Sequence, residues 1–402
     1  MGTKLSTGLS TKHDSTAAAK EALMQAKNKM GESGIDLSIV YSSEKYNYRE
    51  VVDTIRAGTN NAPLIGASSA GEFNEENVET GSIAVGLLSS DDIKIFNTWA
   101  SGIKQDHETA IRDIVAELPS KVEGYPYLTA ILHIDGLSGV GEEISLLASY
   151  LLGNEFKIVG GMAGDDYKME KTFVFCNDDI SANALCICLF ASKKPLFTGI
   201  KHGHTPLSKS LKVTRAQGNI LYEINNRPAW EVWKEETAIS ARKNKIDVEQ
   251  LTDPGEIAQF LTKFMLGLAT DKKDEYKKRW PVSINNDGSF NFSCGIAQGT
   301  VFHIMDGSGP TGHINATKEA VRMARRFAHN AGYEEYAGIL VFDCAVRQLI
   351  LQDKFCKSIE LINSILPGVP ILGWETYGEI HMESGQFSGF HNNSSVILLL
   401  PK

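Results

Sequence analysis

Two ten-residue stretches decide the fold: residues 370–379 read P-I-L-G-W-E-T-Y-G-E, and residues 63–72 read P-L-I-G-A-S-S-A-G-E. Both follow the pattern P-x-x-G-x-x-x-x-G-E, and each comes after a segment that reads as a strand followed by a helix. A proline that opens an apolar triplet before a glycine predicts a short buried strand that ends at a turn. A second glycine directly before the glutamate predicts a tight turn that directs the carboxylate. We therefore predict two copies of one module, each placing a Gly-Glu corner at a shared cleft.

The composition is that of an ordinary globular protein with no nucleic-acid or membrane signature. The 402 residues, 42% hydrophobic and 22% charged, predict two to three domains. The net charge of −9 is spread along the chain, which leaves no basic stripe for phosphates. The N-terminus lacks the apolar core of a signal peptide, and no run approaches roughly 18 apolar residues, so we expect a cytoplasmic protein with no membrane partner.

Strand–helix–strand units recur along the chain. This alternation predicts the α/β class, with duplicated strand–helix–strand units that form mixed sheets flanked by helices in two related domains. Residues 1–14 are polar and are expected to lack regular structure. Residues 82–88 and 93–99 are expected to form a hairpin, because the turn sequence S-S-D-D joins them.

Five motifs follow one another along the chain: A-P-L-I-G-A-S-S-A-G-E, K-I-V-G-G-M-A-G-D-D, K-V-T-R-A-Q-G-N-I-L-Y-E-I-N-N-R-P-A, G-I-L-V-F-D-C-A-V-R and G-V-P-I-L-G-W-E-T-Y-G-E-I. With the closing F-H-N-N-S-S-V-I-L-L-L they extend from residue 62 to residue 400. In this order they resemble the FIST family, a sensory module with an N-terminal and a C-terminal FIST domain. The resemblance divides the chain into a tail and helix over 1–33, a FIST N-like domain over 34–215 and a FIST C-like domain over 216–402.

The resemblance implies a cytoplasmic small-molecule sensor, with amino acids as the usual ligands. Signalling is then expected to pass through a separate partner protein of the kinase or cyclase type. It also implies an alternative, because some stand-alone family members are described as haem-binding nitric-oxide sensors. Such a protein would regulate a histidine kinase or a cyclic-di-GMP enzyme.

The corner glutamates Glu72 and Glu379 are the first candidate ligand-binding residues. Each could hold a ligand ammonium through charge-assisted hydrogen bonds. Each could instead accept backbone N–H groups and fix its own turn, and the sequence leaves both interpretations open. The hydroxyl groups in the same turns are expected to donate to a ligand carboxylate or carbonyl: Ser68, Ser69, Thr376 and Tyr377.

A glycine-rich turn and a strand end supply the remaining candidates. Asp165 and Asp166 follow G-G-M-A-G, which includes Gly161, and these glycines allow a ligand to approach the backbone closely, although a sheet crossing needs them too. No third hard ligand is spaced to complete a metal site. Arg347 could form a bidentate fork to a ligand carboxylate, or it could be a solvated loop residue.

The enzyme motifs are incomplete, so the sequence favours a binding protein and predicts no catalytic residue. G-S-G-P-T-G at 307–312 matches a dinucleotide loop, but Pro310 stiffens it and no acid ends a strand about 20 residues later. G-A-S-S-A-G at 66–71 fails the nucleophile-elbow spacing. Cys344 would need a histidine beside it to act as a nucleophile. For haem, one axial histidine suffices, and no spacing identifies which one it would be.

Overall fold

The chain consists of three repeats of one unit and a separate inserted sheet. The computed structural model describes residues 2–270, 276–382 and 389–402. Each repeat runs strand, helix, strand, one or two helices and then four further strands. The first repeat is β1 (Lys4–Ser10), α1 (Ser15–Met30), β2 (Leu37–Ser42), α2 (Tyr48–Gly58), β3 (Leu64–Ser68), β4 (Glu72–Asn74), β5 (Val78–Glu79) and β6 (Ile83–Ser89). The second is β7 (Ile93–Ser101), α3 (His107–Ala116), β8 (Tyr127–Ile134), α4 (Gly141–Leu152), β9 (Phe156–Met162), β10 (Val174–Cys176), β11 (Asp179–Ser181) and β12 (Ala184–Ser192).

The third repeat is interrupted after its first strand by the inserted sheet. The strand before the insert is β13 (Phe197–His202). The insert contains β14 (Thr205–Pro206), β15 (Leu211–Gln217), β16 (Ile220–Ile224), β17 (Arg227–Pro228), α5 (Ala229–Lys243), α6 (Pro254–Lys263), β18 (Phe264–Ala269), β19 (Tyr276–Arg279), β20 (Pro281–Ile284), β21 (Phe290–Phe292) and β22 (Val301–Asp306). The repeat resumes with α7 (Pro310–Asn330), β23 (Tyr336–Cys344), α8 (Ala345–Leu351), a 3-10 turn (Gln352–Lys354), α9 (Cys356–Ile365), β24 (Ile371–Thr376), β25 (Glu379–Met382), β26 (Phe390–His391) and β27 (Ser394–Pro401).

The sheets of the three repeats share one strand order. The sheet orders are β1-β6-β2-β3-β10-β11, β7-β12-β8-β9-β25-β26 and β13-β27-β23-β24-β4-β5. In each sheet the central pair is parallel and the flanking pairs are antiparallel. The last two strands of each sheet are a hairpin donated by another repeat. The first repeat donates to the third, the third to the second and the second to the first, so the exchange closes a ring.

The first glycine of the motif occupies the same register position in all three repeats. Gly66 pairs with Val40, Gly160 with Leu132 and Gly373 with Val341. A Cβ atom at Gly66 would lie 1.9 Å from the Val40 carbonyl oxygen, and one at Gly160 would lie 2.0 Å from that of Leu132. At Gly373 the clash would be with the Phe73 ring at 1.9 Å. No other residue fits these positions without moving the backbone or a buried ring.

Equivalent side chains from the three central strands meet at the centre of the molecule. Tyr41, His133 and Phe342 each follow the residue that pairs with the motif glycine. The Tyr41 ring stacks on Trp374 with centroids 4.5 Å apart, and its hydroxyl lies 3.1 Å from Nε2 of His133. The rings of His133 and Phe342 also contact Trp374. The repeats are therefore related by an approximate threefold axis through this cluster.

Each of the three sheets has one face on a common core and one face under its own helices. The inner faces share a single apolar cluster around the Tyr41 and Trp374 rings. The outer faces are covered by α1 and α2, by α3 and α4, and by α7 and α9. The insert has its own core, which includes Trp233, Phe260 and Phe290.

The mixed α/β class with repeated strand–helix–strand units is confirmed, and two local predictions are wrong. Residues 1–14 contain a strand, because Lys4–Ser10 pairs along its whole length with β6 and is buried at six of seven positions. The predicted hairpin over 82–88 and 93–99 does not form, because β6 lies in the first sheet and β7 pairs with β12 in the second. Within the described ranges, every helix is too short or too polar to cross a bilayer.

We predict that His133 makes the fold sensitive to acid. Burial lowers the pKa of His133 from its ordinary 6.5 to about 3. Below pH 6.5, His133 therefore takes up a proton in the unfolded chain but not in the folded chain. The free energy of unfolding consequently decreases as the pH drops from 6.5 towards 3. The slope is about 1.4 kcal/mol per pH unit, which gives a loss of about 2 kcal/mol between pH 6.5 and 5.0.

Urea unfolding at the two pH values measures this loss. His133→Phe introduces phenylalanine, the residue found at the equivalent position of the third repeat (Phe342). This variant should lose correspondingly less stability between the two pH values. The substitution His107→Phe at the partly exposed start of α3 is the control and should leave the loss unchanged. Equal pH dependence in wild type and His133→Phe would contradict the assignment.

Candidate functional site

The corner glutamates are fully buried, and each is bonded within its own repeat. Oε2 of Glu72 accepts the backbone N–H of Ser82 at 3.1 Å, and its other oxygen accepts the Ser69 hydroxyl. In the third repeat Oε2 of Glu379 accepts the N–H of Ser394 at 2.7 Å, and Thr376 donates to Oε1. Each carboxylate thus ties the corner to the start of the last strand. These bonds match the alternative in which the glutamate fixes its own turn, and direct ligand contact stays a prediction.

The second repeat performs the same task with a different residue. Asp135, at the end of β8, accepts the backbone N–H of Asn183 just before β12 and the hydroxyl of Thr172. Its crossing between sheets is also longer, spanning residues 163–173 instead of 69–71. The corner of the second repeat therefore lacks the motif glutamate.

Asp165 and Asp166 organise this longer crossing. Asp165 is buried and accepts the backbone N–H groups of Met169, Glu170 and Lys171 at 2.7 to 2.9 Å. Tyr377 donates its hydroxyl to Asp165 and accepts the N–H of Tyr167 at 2.8 Å. Asp166 instead faces the first repeat, where the Ser43 hydroxyl donates to it at 2.6 Å.

Four further candidates serve the core of the fold. Ser68 accepts the backbone N–H of Phe173 at 2.8 Å. Gly161 lies in β9, where a Cβ would be 2.5 Å from the Thr376 methyl group. Arg347 is wholly buried: its Nε lies 2.8 Å from Asp343 Oδ1, and its Nη2 donates to Thr317 and to the His313 carbonyl. The Ser69 hydroxyl donates to Glu72. None of these four is among the residues that line the cavity where the second repeat, the third repeat and the insert meet.

A cavity of about 540 Å³ lies where the second repeat, the third repeat and the insert meet. Its walls are mostly apolar, and polar groups occur at a few positions. The second repeat contributes the glycine-rich turn after β8, the start of α4 and part of the 163–173 crossing. The lining residues from this repeat include Gly136, Leu137, Gly139, Gly141, Glu142, Glu143, Met162, Tyr167 and Met169. The insert contributes Asn219, Met265, Trp280, Val282, Ser293, Cys294 and Gly295, and the third repeat contributes Cys344, Val346, Leu349, Thr376, Tyr377, Phe390 and Asn392.

Of the ten predicted site residues, the structure brings Thr376 and Tyr377 to this cavity. Asp165 supports the wall indirectly, since it holds both Tyr377 and the Tyr167 crossing. Sequence reasoning missed Trp280, Phe390 and the glycine-rich turn as lining residues. The run D-G-L-S-G-V-G-E-E at the carboxyl end of a strand was the available signal, because such strand ends are where ligands bind in α/β sheets.

The thiols in the cavity wall are held in their protonated form. Burial and the adjacent Glu379 carboxylate raise the pKa of Cys344 well above its ordinary value. Burial raises the pKa of Cys294 to about 12. No histidine is present among the described lining residues. The described lining residues therefore include no thiolate that is poised as a nucleophile.

Comparison with known proteins now gives the family. A FIST N domain model matches residues 36–227, and a FIST C domain model matches residues 229–382. The chain belongs to the FIST family. FIST domains are assigned to the sensing of small ligands in signal transduction. An uncharacterized protein of Methanocaldococcus jannaschii is 22% identical over 220 residues, which is 52% of this chain and 42% of that protein.

The FIST domain boundary and the structural repeats do not coincide. The boundary at 227–229 falls inside the insert, between β17 and α5. FIST N therefore contains the first repeat from β2 onward, the whole second repeat, β13 and the start of the insert, and FIST C contains most of the insert and of the third repeat. The cavity is lined by residues from both FIST domains.

The buried corner carboxylates should make the FIST fold less stable in alkali. Burial raises the pKa of Glu72, and likewise of Glu379, from an ordinary 4.5 to about 8. The folded chain then keeps a proton that the unfolded chain releases, so stability falls as the pH rises from 4.5 to about 8. For one glutamate the loss between pH 6.0 and 7.5 is about 2 kcal/mol.

Glutamine does not titrate, so Glu72→Gln should remove the contribution of Glu72 to the loss of stability. The fold should be kept, because the amide oxygen can still accept the Ser82 N–H. Urea unfolding at pH 6.0 and 7.5 measures the difference. Glu117→Gln, an exposed change of the same charge, is the matched control. A Glu72→Gln protein that loses as much stability as wild type over this range would show that Glu72 is ionised in the fold.

Proposed function

We propose that this FIST protein senses a small, amino-acid-like organic molecule in the cavity between its second repeat, third repeat and insert. The single observation that carries the proposal is the cavity of about 540 Å³, whose walls are mostly apolar and carry a few polar groups. That volume lies within the range of ~300–1,000 Å³ found for small-molecule sites. This composition is also what such sites show, with polar groups fixing the orientation of the ligand.

The polar groups lie on different walls and could orient one ligand. Hydroxyl and amide groups come from Ser293 and Asn219 of the insert and from Thr376 and Asn392 of the third repeat. They can bond to a ligand carboxylate or carbonyl. The carboxylate of Glu143 can receive an ammonium group. The Trp280 and Phe390 side chains offer apolar contact to the remainder of the ligand.

The position of the cavity suggests how binding would be communicated. A ligand that contacts both the insert and the repeats favours whichever arrangement of these parts binds it better. The insert also contacts the corner of the third repeat, since Lys278 Nζ lies 3.3 Å from the Ser394 hydroxyl. The backbone N–H of the same serine donates to Glu379. A shift of the insert would change the surface presented to a signalling partner of the kinase or cyclase type.

Haem binding stays a prediction, and no observation in the cavity favours it over an organic ligand. The family resemblance is its source. A Soret band in the purified protein, or after addition of haem, is the direct test of this alternative.

A cavity-filling variant tests the proposed site. Gly295 lines the cavity, and a Cβ atom there would have only the Gly218 carbonyl oxygen within 4 Å, at 3.8 Å. We expect Gly295→Phe to fold and to abolish the rise in Tm that the binding members of an amino-acid and amine panel give to wild type. Gly34→Phe, at an exposed position with no atom within 4 Å of the new Cβ, should retain that rise. An undiminished rise in Gly295→Phe would place the ligand elsewhere.

A further inference from the structure

The charged residues on the cavity walls all have the same sign. Glu142 and Glu143 are the only charged side chains among the described lining residues, and no lysine, arginine or histidine accompanies them. Both lie in the first turn of α4, where the helix dipole favours a negative side chain. Arg279 donates to Glu142. Glu143 is exposed and makes no ion pair with any described residue, so its charge is available to a ligand.

Four aromatic rings line the same cavity: Tyr167, Trp280, Tyr377 and Phe390. Within the described part of the chain, none of the four contacts another ring and none has a lysine or arginine over its face. Aromatic residues elsewhere are extensively paired, as in the contacts of Trp233 with Phe290 and of Tyr41 with Trp374. The four cavity rings therefore differ from the rings of the cores in having no ring or cation partner.

The hydroxyl groups of the two tyrosines are already committed to the protein. Tyr167 donates to the Ala345 carbonyl at 3.0 Å and lies 2.9 Å from Glu375 Oε2, and Tyr377 donates to Asp165. These bonds fix the orientation of the rings. A ligand can therefore contact the two tyrosines through their aromatic carbon atoms. The negative faces of aromatic rings attract cations, and groups of aromatic rings commonly recognise quaternary ammonium ligands.

We propose that the cavity recognises an organic ammonium ion, whose positive charge lies against Tyr167, Trp280, Tyr377 and Phe390 with Glu143 as counter-charge. This rests on the proposed function and narrows it, since the ammonium group becomes the feature that selects the ligand. An anionic ligand would meet no cation on the described walls. The exposed apolar residues Met169, Val282 and Leu349 at the cavity suit alkyl substituents on the ligand. Amines and alkylated ammonium ions should therefore bind better than zwitterions, and zwitterions better than carboxylic acids.

The test uses the full-length protein with choline and its neutral carbon isostere, 3,3-dimethylbutan-1-ol. The two probes have nearly the same shape, so calorimetric titration of each isolates the effect of the charge. We expect choline to bind at least about tenfold more tightly, the scale of one or two cation–aromatic contacts in a partly dry site. Equal affinities, or no binding of choline, would overturn the ammonium proposal. The response of wild type and Gly295→Phe to the wider panel then decides separately whether the cavity binds a ligand at all.

Variants assign the preference to the named residues. Glu143→Gln should lower the choline affinity several-fold and leave that of the isostere unchanged, whereas the exposed Glu117→Gln should alter neither. Trp280→Leu should reduce the ratio of the two affinities, and Trp280→Phe, which keeps a ring, should preserve more of it. If Trp280→Leu fails to fold, Glu143→Gln still tests the proposal, because Glu143 is exposed. An unchanged ratio in Glu143→Gln would overturn the role of the carboxylate.

Discussion

The exchange of hairpins between repeats is the constraint on which the rest of the structure depends. Without it, the third strand of each repeat would leave a row of backbone N–H and C=O groups unpaired next to the common core. Each sheet is complete only when another repeat is present, so the three repeats and their central cluster form together. The close approach at Gly66 and Gly160, where a Cβ would overlap a neighbouring carbonyl oxygen, lets the strands meet at this centre.

The same exchange explains what the acidic corners do in the fold and where the cavity lies. A chain that crosses from one sheet to the next within two or three residues needs a strong acceptor to hold it, and Glu72 and Glu379 supply it at the first and third crossings. The second crossing runs over residues 163–173, and its extra length carries Tyr167 and Met169 into a cavity wall. The insert then covers the open side of this position, so the departure from threefold symmetry creates the candidate site.

Local sequence patterns predicted the strands, the helices and the glutamate corners, because these depend on residues that are near one another in the chain. The copy of the corner in the second repeat was hidden, because Asp135 on another strand replaces the glutamate and Lys157 stands where the other copies have proline. The strand Lys4–Ser10 was missed because its apolar residues face a core that its partner β6 completes. The cavity could not be derived from the sequence, since Gly136, Trp280 and Phe390 meet only through the sheet exchange and the insert.

We propose that ligand recognition belongs to the cavity between the repeats and the insert, and that the buried corners hold the scaffold in place. The most direct measurement is a crystal structure of the full chain with the tightest-binding compound of an amino-acid and ammonium panel. We expect difference density among Tyr167, Trp280 and Tyr377, with the hydrogen bonds of Glu72 and Glu379 unchanged. Density beside Glu72, Asp166 or Glu379, with only solvent in the cavity, would contradict the claim.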